Sequence, residues 1–307
     1  MSSQTNKQPT LKKISKGLTV GSVMTGSTFF HGPPVLALGL AKLFKKSKKV
    51  DETNIKITNS WLTVNNWLID HVLPNTKWDI TIDEGLNLNL HGRYLMTCNH
   101  QSWVDTTVNQ YFGLTRMPLT RFFTKWELIF IPFVGQAFKI LGFPMMKRHS
   151  KEQIAKNPEL KYRDMEEARK SCEQLLSQPF TLLNYLEGTR FTPEKHAQQQ
   201  SPYQNLLKPK AGGLALALNI LGDQVDALVD MTIVYPNGAP GYSEFWLGEV
   251  PRIAVDLRKI EIPTWVHGGN YEDDAEFREK FQHWVDELWT EKDQLITRMK
   301  AKYSVTE

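Results

Sequence analysis

Three short apolar runs, Arg93–Cys98, Phe180–Leu186 and Leu228–Tyr235, constrain what this chain can fold into more than any other feature. Runs of this length, rich in β-branched and aromatic residues, read as buried strands, and Trp78–Ile82 and Arg252–Ile260 read as two more. Between them Lys161–Leu176 and Gly213–Leu221 carry helical periodicity. Near the C-terminus Phe277, Phe281, Trp284, Val285, Leu288 and Ile296 mark one stripe of a long amphipathic helix. Strands alternating with helices predict an α/β sheet domain covered by helices on its faces.

The 307 residues are 41% hydrophobic and 23% charged, which suits globular material and excludes a disordered or polytopic membrane chain. Cys98 and Cys172 are too few for a disulfide framework and form no metal-type cluster. The formal charge is +4, yet residues 1–50 hold nine lysines (Lys7, Lys12, Lys13, Lys16, Lys42, Lys45, Lys46, Lys48, Lys49) and no acid, leaving −5 for the rest. Basic character confined to one end argues against nucleic acid and for an anionic membrane surface as the N-terminal partner.

Gly17–Ala41 has no formally charged side chain. Gly, Ser and Thr crowd its first half, Pro33-Pro34 is expected to break or sharply bend a helix, and lysines flank both sides. Lysine on both flanks fits a segment that enters the membrane and returns, or lies in its face, better than a single crossing. The competing reading is a buried helix pair. In residues 55–73, Trp61, Val64 and Leu68 recur at helical spacing, a stripe suited either to lipid headgroups or to the chain's own core. The organisation expected is therefore a basic, membrane-associating helical segment over 1–75 and a second domain over 76–307 that ends in the amphipathic helix.

The sharpest chemical feature is Asn99-His100-Gln101-Ser102-Trp103-Val104-Asp105, directly after the strand ending at Cys98. On one regular helix a His and an Asp five apart point about 140° away from each other. They meet only if the chain turns between them, with His100 at the strand end and Asp105 in the first helical turn. The carboxylate then fixes one imidazole tautomer and leaves the other ring nitrogen to take a proton from an alcohol. Glu187-Gly188-Thr189-Arg190 likewise follows an apolar strand, at the end where open α/β sheets place ligands. Gly188 permits close backbone approach, Arg190 offers a fork of donors matched to phosphate, and Glu187 can accept hydrogen bonds from glycerol hydroxyls. A surface Glu–Arg pair in a turn is the bland alternative. Cys98, two residues before His100, reads as a buried strand thiol rather than a nucleophile.

Taken together these segments resemble the glycerophospholipid acyltransferases, in particular the 1-acylglycerol-3-phosphate (lysophosphatidate) acyltransferases. The first block of that family matches Asn99, His100 and Asp105, with Gln101-Ser102 the variant common in the lysophosphatidate branch. The second matches Gly142-Phe143-Pro144-Met145-Met146-Lys147-Arg148, the third Glu187-Gly188-Thr189-Arg190, and the fourth Ile233-Val234-Tyr235-Pro236. The resemblance covers roughly residues 78–260, with the blocks in order. Two departures stand out: Tyr185-Leu186 replaces a common Phe-Pro before the third block, and Lys147 adds a cation to the second.

The resemblance implies a mixed sheet flanked by helices, the glycerolipid acyltransferase fold. It implies His100 as general base and Asp105 as its orienting acid. It also implies a substrate site of Glu187, Gly188, Thr189, Arg190, Arg148, Lys147 and Lys210. The implied donor is acyl-CoA or acyl carrier protein as co-substrate, with no cofactor and no metal expected, because a thioester is already activated. The implied acceptor is a membrane lysophospholipid, 1-acylglycerol 3-phosphate first, with glycerol 3-phosphate or another lysophospholipid as alternatives. A catalytically silent lipid-binding scaffold is the rival from another class. The implied location is the cytoplasmic face of a membrane, the bacterial inner membrane.

Overall fold

The apolar runs lie side by side in one sheet. The computed structural model describes residues 11–44, 47–146, 151–157 and 159–304. In chain order the elements are α1 (Leu11–Phe44), α2 (Lys48–Val72), β1 (Lys77–Ile82), β2 (Arg93–Cys98), α3 (Val104–Gly113), β3 (Thr120–Phe122), β4 (Thr124–Lys125), α4 (Val134–Ile140) and β5 (Met145–Met146). They continue with α5 (Lys151–Lys156), α6 (Glu159–Leu175), β6 (Phe180–Tyr185), α7 (Pro193–Gln199), α8 (Gly212–Leu221), β7 (Ala227–Val234), α9 (Tyr242–Leu247), β8 (Arg252–Ile260) and α10 (Ala275–Ser304). The main sheet has the order β1-β8-β7-β2-β6-β3, and β4 pairs with β5 in a separate two-stranded piece. Every pairing in the main sheet is parallel except β7 with β8, so the sheet is mixed.

Alternation along the central strands builds a core on each face. Tyr94, Met96 and Cys98 of β2 and Val229, Met231 and Ile233 of β7 meet α2, α3 and α9. Leu95, Leu182 and Leu228 face the other way, toward α6, α8 and α10. Thr97, Asp230 and Thr232 interrupt that second apolar face because the C-terminal helix brings Lys292 to it. The Lys292 ammonium is fully buried and donates to the Met231 carbonyl at 2.7 Å and the Thr232 hydroxyl at 3.1 Å, beside Asp230 at 2.8 Å. Thr97 and Arg258 complete the Asp230 shell at 2.6 and 2.8 Å. Burial alone would raise the Asp230 carboxyl, but Lys292 and Arg258 outweigh it and hold it below the usual range. A buried charge left without such partners would be expensive, which is why polar side chains recur at these positions.

The N-terminal expectation needs correction in one respect: α1 runs without interruption through Pro33 and Pro34. The two prolines remove the amides that would bond the carbonyls of Phe29 and Phe30, both on the exposed side of the helix. Packing holds the rest. Gly32 lies against the Phe133 ring, Gly39 against Ile140 of α4, and Val35 is fully buried. Of the stripe on α2, Leu68 sits in the main apolar cluster with its neighbours Ile69 and Val72, while Trp61 and Val64 are half-buried and the Trp61 ring stacks on His31 of α1. Three N-terminal lysines also have protein partners: Lys13 pairs with Glu249, Lys42 with Asp51, and Lys16 donates to the Val72 carbonyl at 2.6 Å. Among the described residues no helix is long and apolar enough to cross a membrane.

Candidate active site

Strand register brings the first and third blocks together. In the parallel β2–β6 pair Cys98 lies opposite Tyr185, so His100 and Glu187 stand two residues beyond the same end of neighbouring strands. On the other side β7 places Met231 opposite Cys98. The Asn99 side chain imitates a strand residue there, donating to the Ile233 carbonyl and accepting from the Ile233 amide, both at 2.9 Å. Gln101 donates to the same carbonyl at 2.8 Å. The Ser102 hydroxyl donates to the Pro240 carbonyl at 2.6 Å. These bonds fix the turn that the His–Asp spacing demanded.

Within the turn, Asp105 sits in the first turn of α3 and is 1% exposed. Its Oδ2 accepts from the Gln101 amide at 2.6 Å and the Ser102 amide at 2.8 Å, and lies 2.9 Å from His100 Nδ1. Its Oδ1 accepts from the Tyr235 hydroxyl at 2.7 Å. A carboxylate only accepts, so Nδ1 is the donor in this contact, and in the neutral imidazole that leaves Nε2 as the acceptor. The imidazole stacks on Tyr185 with centroids 4.1 Å apart and planes 20° apart. The stack and the Nδ1 bond leave the ring little freedom, and its side chain keeps 15% exposure.

Glu187 is where the structure departs from the sequence expectation. Its side chain is 0% exposed, with Oε1 accepting from the His100 amide at 2.7 Å and Oε2 from the Leu207 amide at 2.9 Å. Both oxygens are spent inside the chain, so the carboxyl is not open to a glycerol hydroxyl. Burial pushes it up to about 8 despite those two amides. Gly188 is the turn residue, with φ 66° and its amide donating to the Tyr185 carbonyl at 2.9 Å. A Cβ there would meet the Lys210 side chain at 3.2 Å, so the exposed Lys210 lies across this turn. The Arg190 guanidinium rests over the exposed Trp103 ring, 4.4 Å from its centroid. Lys195 braces the turn by donating to the Thr189 hydroxyl at 2.8 Å and the Arg190 carbonyl at 3.0 Å. Lys147 and Arg148 lie outside the described residues.

Cys98 is fully buried, with its thiol raised by burial and set against Asn109 rather than open to a substrate. Sequence reasoning assigns no role to Tyr235 or Tyr185, although the first belongs to the fourth block and the second to the Phe-Pro departure, so a signal existed for both.

The Acyltransferase family profile matches residues 79–236, just over half of the chain. The chain belongs to this family. It is 24% identical over 259 positions to the 2-acyl-1-lysophosphatidylinositol acyltransferase of Saccharomyces cerevisiae, covering 68% of this chain and 62% of that protein. It is 23% identical over 256 positions to lysocardiolipin acyltransferase 1 of Gallus gallus, covering 79% and 62%. The Danio rerio protein of that name is 25% identical over 299 positions, covering 92% and 69%. The chain thus spans less than two thirds of the yeast and chicken relatives. Together with the family match, these relatives set it among the glycerophospholipid acyltransferases. The crystal structure of the 1-acyl-sn-glycerophosphate (LPA) acyltransferase PlsC from Thermotoga maritima shares the fold, with a TM-score of 0.51 at 17% identity over 92% of this chain and 97% of that one.

Proposed function

We propose that this chain transfers a fatty acyl group from acyl-CoA or acyl carrier protein to the free hydroxyl of 1-acylglycerol 3-phosphate, giving phosphatidate. The observation that carries this is the fixed His100–Asp105 pair, with Nε2 free to act, beside the Gly188–Arg190 turn and its cations. His100 Nε2 takes the proton of the acceptor hydroxyl as its oxygen attacks the thioester carbonyl. Asp105 stabilises the imidazolium, and the imidazolium returns the proton to the departing thiolate. Arg190 and Lys210, with Arg148 and Lys147 of the second block, bind the acceptor's phosphate. Because the Gly188 amide is committed to Tyr185, the oxyanion is assigned to the neighbouring Thr189 and Arg190 amides. No bound cofactor or metal enters the scheme.

We also keep residues 1–75 as the membrane-associating segment of the acyltransferase domain at 76–307. Phe29 and Phe30 of α1 are 61% and 75% exposed, and Phe130 and Ile131 before α4 are 77% and 44% exposed. Phe29 contacts Phe133, with ring centroids 5.2 Å apart, so the two exposed groups are neighbours. Such a patch, on a segment flanked in sequence by lysines, suits an interfacial position on an anionic, cytoplasm-facing bilayer. The curated relatives are fungal and vertebrate, so the proposal is a bilayer surface rather than a bacterial inner membrane in particular.

A second acceptor class has its own support: one relative is named for lysophosphatidylinositol and two for lysocardiolipin. The full chain should be assayed with acyl-CoA and acyl carrier protein against lysophosphatidate, lysophosphatidylinositol, lysocardiolipin and glycerol 3-phosphate. Highest kcat/KM with lysophosphatidate supports the first acceptor, and preference for another moves the proposal to that lipid. Transfer to none of them would defeat the enzymatic reading and favour the scaffold.

A further inference from the structure

A carboxylate that orients a catalytic imidazole has two oxygens, and only one can face the ring. In this chain Oδ2 of Asp105 meets His100 and two backbone amides, while Oδ1 takes the Tyr235 hydroxyl at 2.7 Å. Tyr235 is 130 residues from Asp105 in sequence, so no local turn creates the contact. It is created by the sheet. Tyr235 follows directly on β7, and Asn99 locks the first block to the Ile233 backbone just before it. The ring is 3% exposed, and burial together with Asp105 keeps the phenol protonated far above its ordinary range. Toward Asp105 it is therefore a permanent donor.

The geometry points to Tyr235 as a positioning residue for the acyl transfer, one that clamps the Asp105 carboxylate and sets the basicity of His100. This rests on His100 being the base. The donor at Oδ1 stops the carboxylate from rotating and draws charge away from Oδ2. With that charge shared, an imidazolium gains less from Asp105 than it would from a bare carboxylate. The other titratable groups facing the pair do not supply this effect. Cys98 from β2 and Tyr185 from β6 are kept neutral by burial, Lys292 from α10 is ion-paired with Asp230 of β7, and Glu187 titrates toward about 8 on the alkaline side. Arg190 and Lys210 belong to the neighbouring turn, Arg190 resting over the Trp103 ring and Lys210 lying beside Gly188.

The test is the pH profile of kcat/KM in the full chain carrying Tyr235→Phe, which keeps the ring and removes only the hydroxyl. Turnover should fall about tenfold, with the acid limb moved to higher pH and both substrate KM values unchanged. Combined with Asp105→Asn, the same change should cost little more, because the hydroxyl acts through the carboxylate. A ring-fluorinated tyrosine at this position, a stronger donor of nearly the same shape, should move the acid limb the other way and serves if Tyr235→Phe folds poorly. Wild-type turnover and an unmoved acid limb in folded Tyr235→Phe, or equal losses in both Asp105 backgrounds, would overturn the inference. His100→Ala separates the two levels. If it abolishes turnover while Tyr235→Phe is normal, only the tyrosine's role fails; if it retains turnover, the base assignment fails as well.

Discussion

Replacing Glu187 by Gln isolates the contact that ties the first block to the third. The carboxyl receives backbone amides on both oxygens, from His100 at 2.7 Å and Leu207 at 2.9 Å, with no exposure to water. Either protonation state of the acid keeps two oxygens that accept. Glutamine has one, and its NH2 must face the second amide donor to donor. A buried donor left unsatisfied costs about 1–3 kcal/mol. At roughly 2–4 °C per kcal/mol for a large domain, melting should drop by a few degrees to about ten. The lost bond frees the turn that carries His100, and for a group in the proposed role of base a misplacement of about 1 Å costs on the order of 10²-fold in rate. Two-substrate kinetics beside thermal melting should therefore show kcat reduced about ten- to a hundredfold, with the acceptor KM nearly unchanged. A raised acceptor KM with unchanged melting would refute this reasoning and return Glu187 to the role of a ligand for glycerol hydroxyls.

Other consequences are as direct. Because the folded carboxyl of Glu187 is raised from 4.5 to about 8, the folded state keeps a proton that the unfolded state has released between those values. Its contribution is full below the unfolded value and lost as pH rises through the window; urea unfolding should show a decline there that Glu187→Gln flattens, and an identical slope in both would exclude it. Arg190→Lys should keep part of the activity and Arg190→Ala far less, through a higher KM for a phosphorylated acceptor with the donor KM unmoved; lost stability without that selectivity would mark a structural arginine. Phe29→Ser with Phe30→Ser should weaken sedimentation with anionic vesicles, since burying each ring is worth about 1.5–3 kcal/mol, and high salt should release the chain only partly. Vesicle binding equal to wild type would remove that patch from the membrane face.

The strands were legible because each carries its own signal. Arg93–Cys98 and Arg252–Ile260 have the bounds their composition predicts, and the others shift by a residue. The turn joining His100 to Asp105 was legible too, because the spacing permits contact only with a break between strand and helix. What stayed hidden depends on partners far away in sequence. Nothing local tells that Glu187 turns inward, since its two donors, His100 and Leu207, are 87 and 20 residues off. Nor does Pro33-Pro34 announce that Phe133 and Ile140 will hold the helix through it. The same holds for a cut at residue 75, which would strip Leu68, Ile69 and Val72 from the core, so point changes test membrane binding better than truncation. Strands shorter than four residues, β3, β4 and β5, lack a periodic pattern to read.

The central claim is that His100 Nε2 is the base for acyl transfer. The measurement is phosphatidate formed from labelled acyl-CoA and lysophosphatidate, by the wild-type chain and by His100→Ala of matched melting temperature. General-base assistance is worth about 10²–10⁴, and the proposed mechanism also has this group protonate the leaving thiolate, so turnover should fall by at least that range. Turnover near wild type in the folded His100→Ala protein would contradict the account.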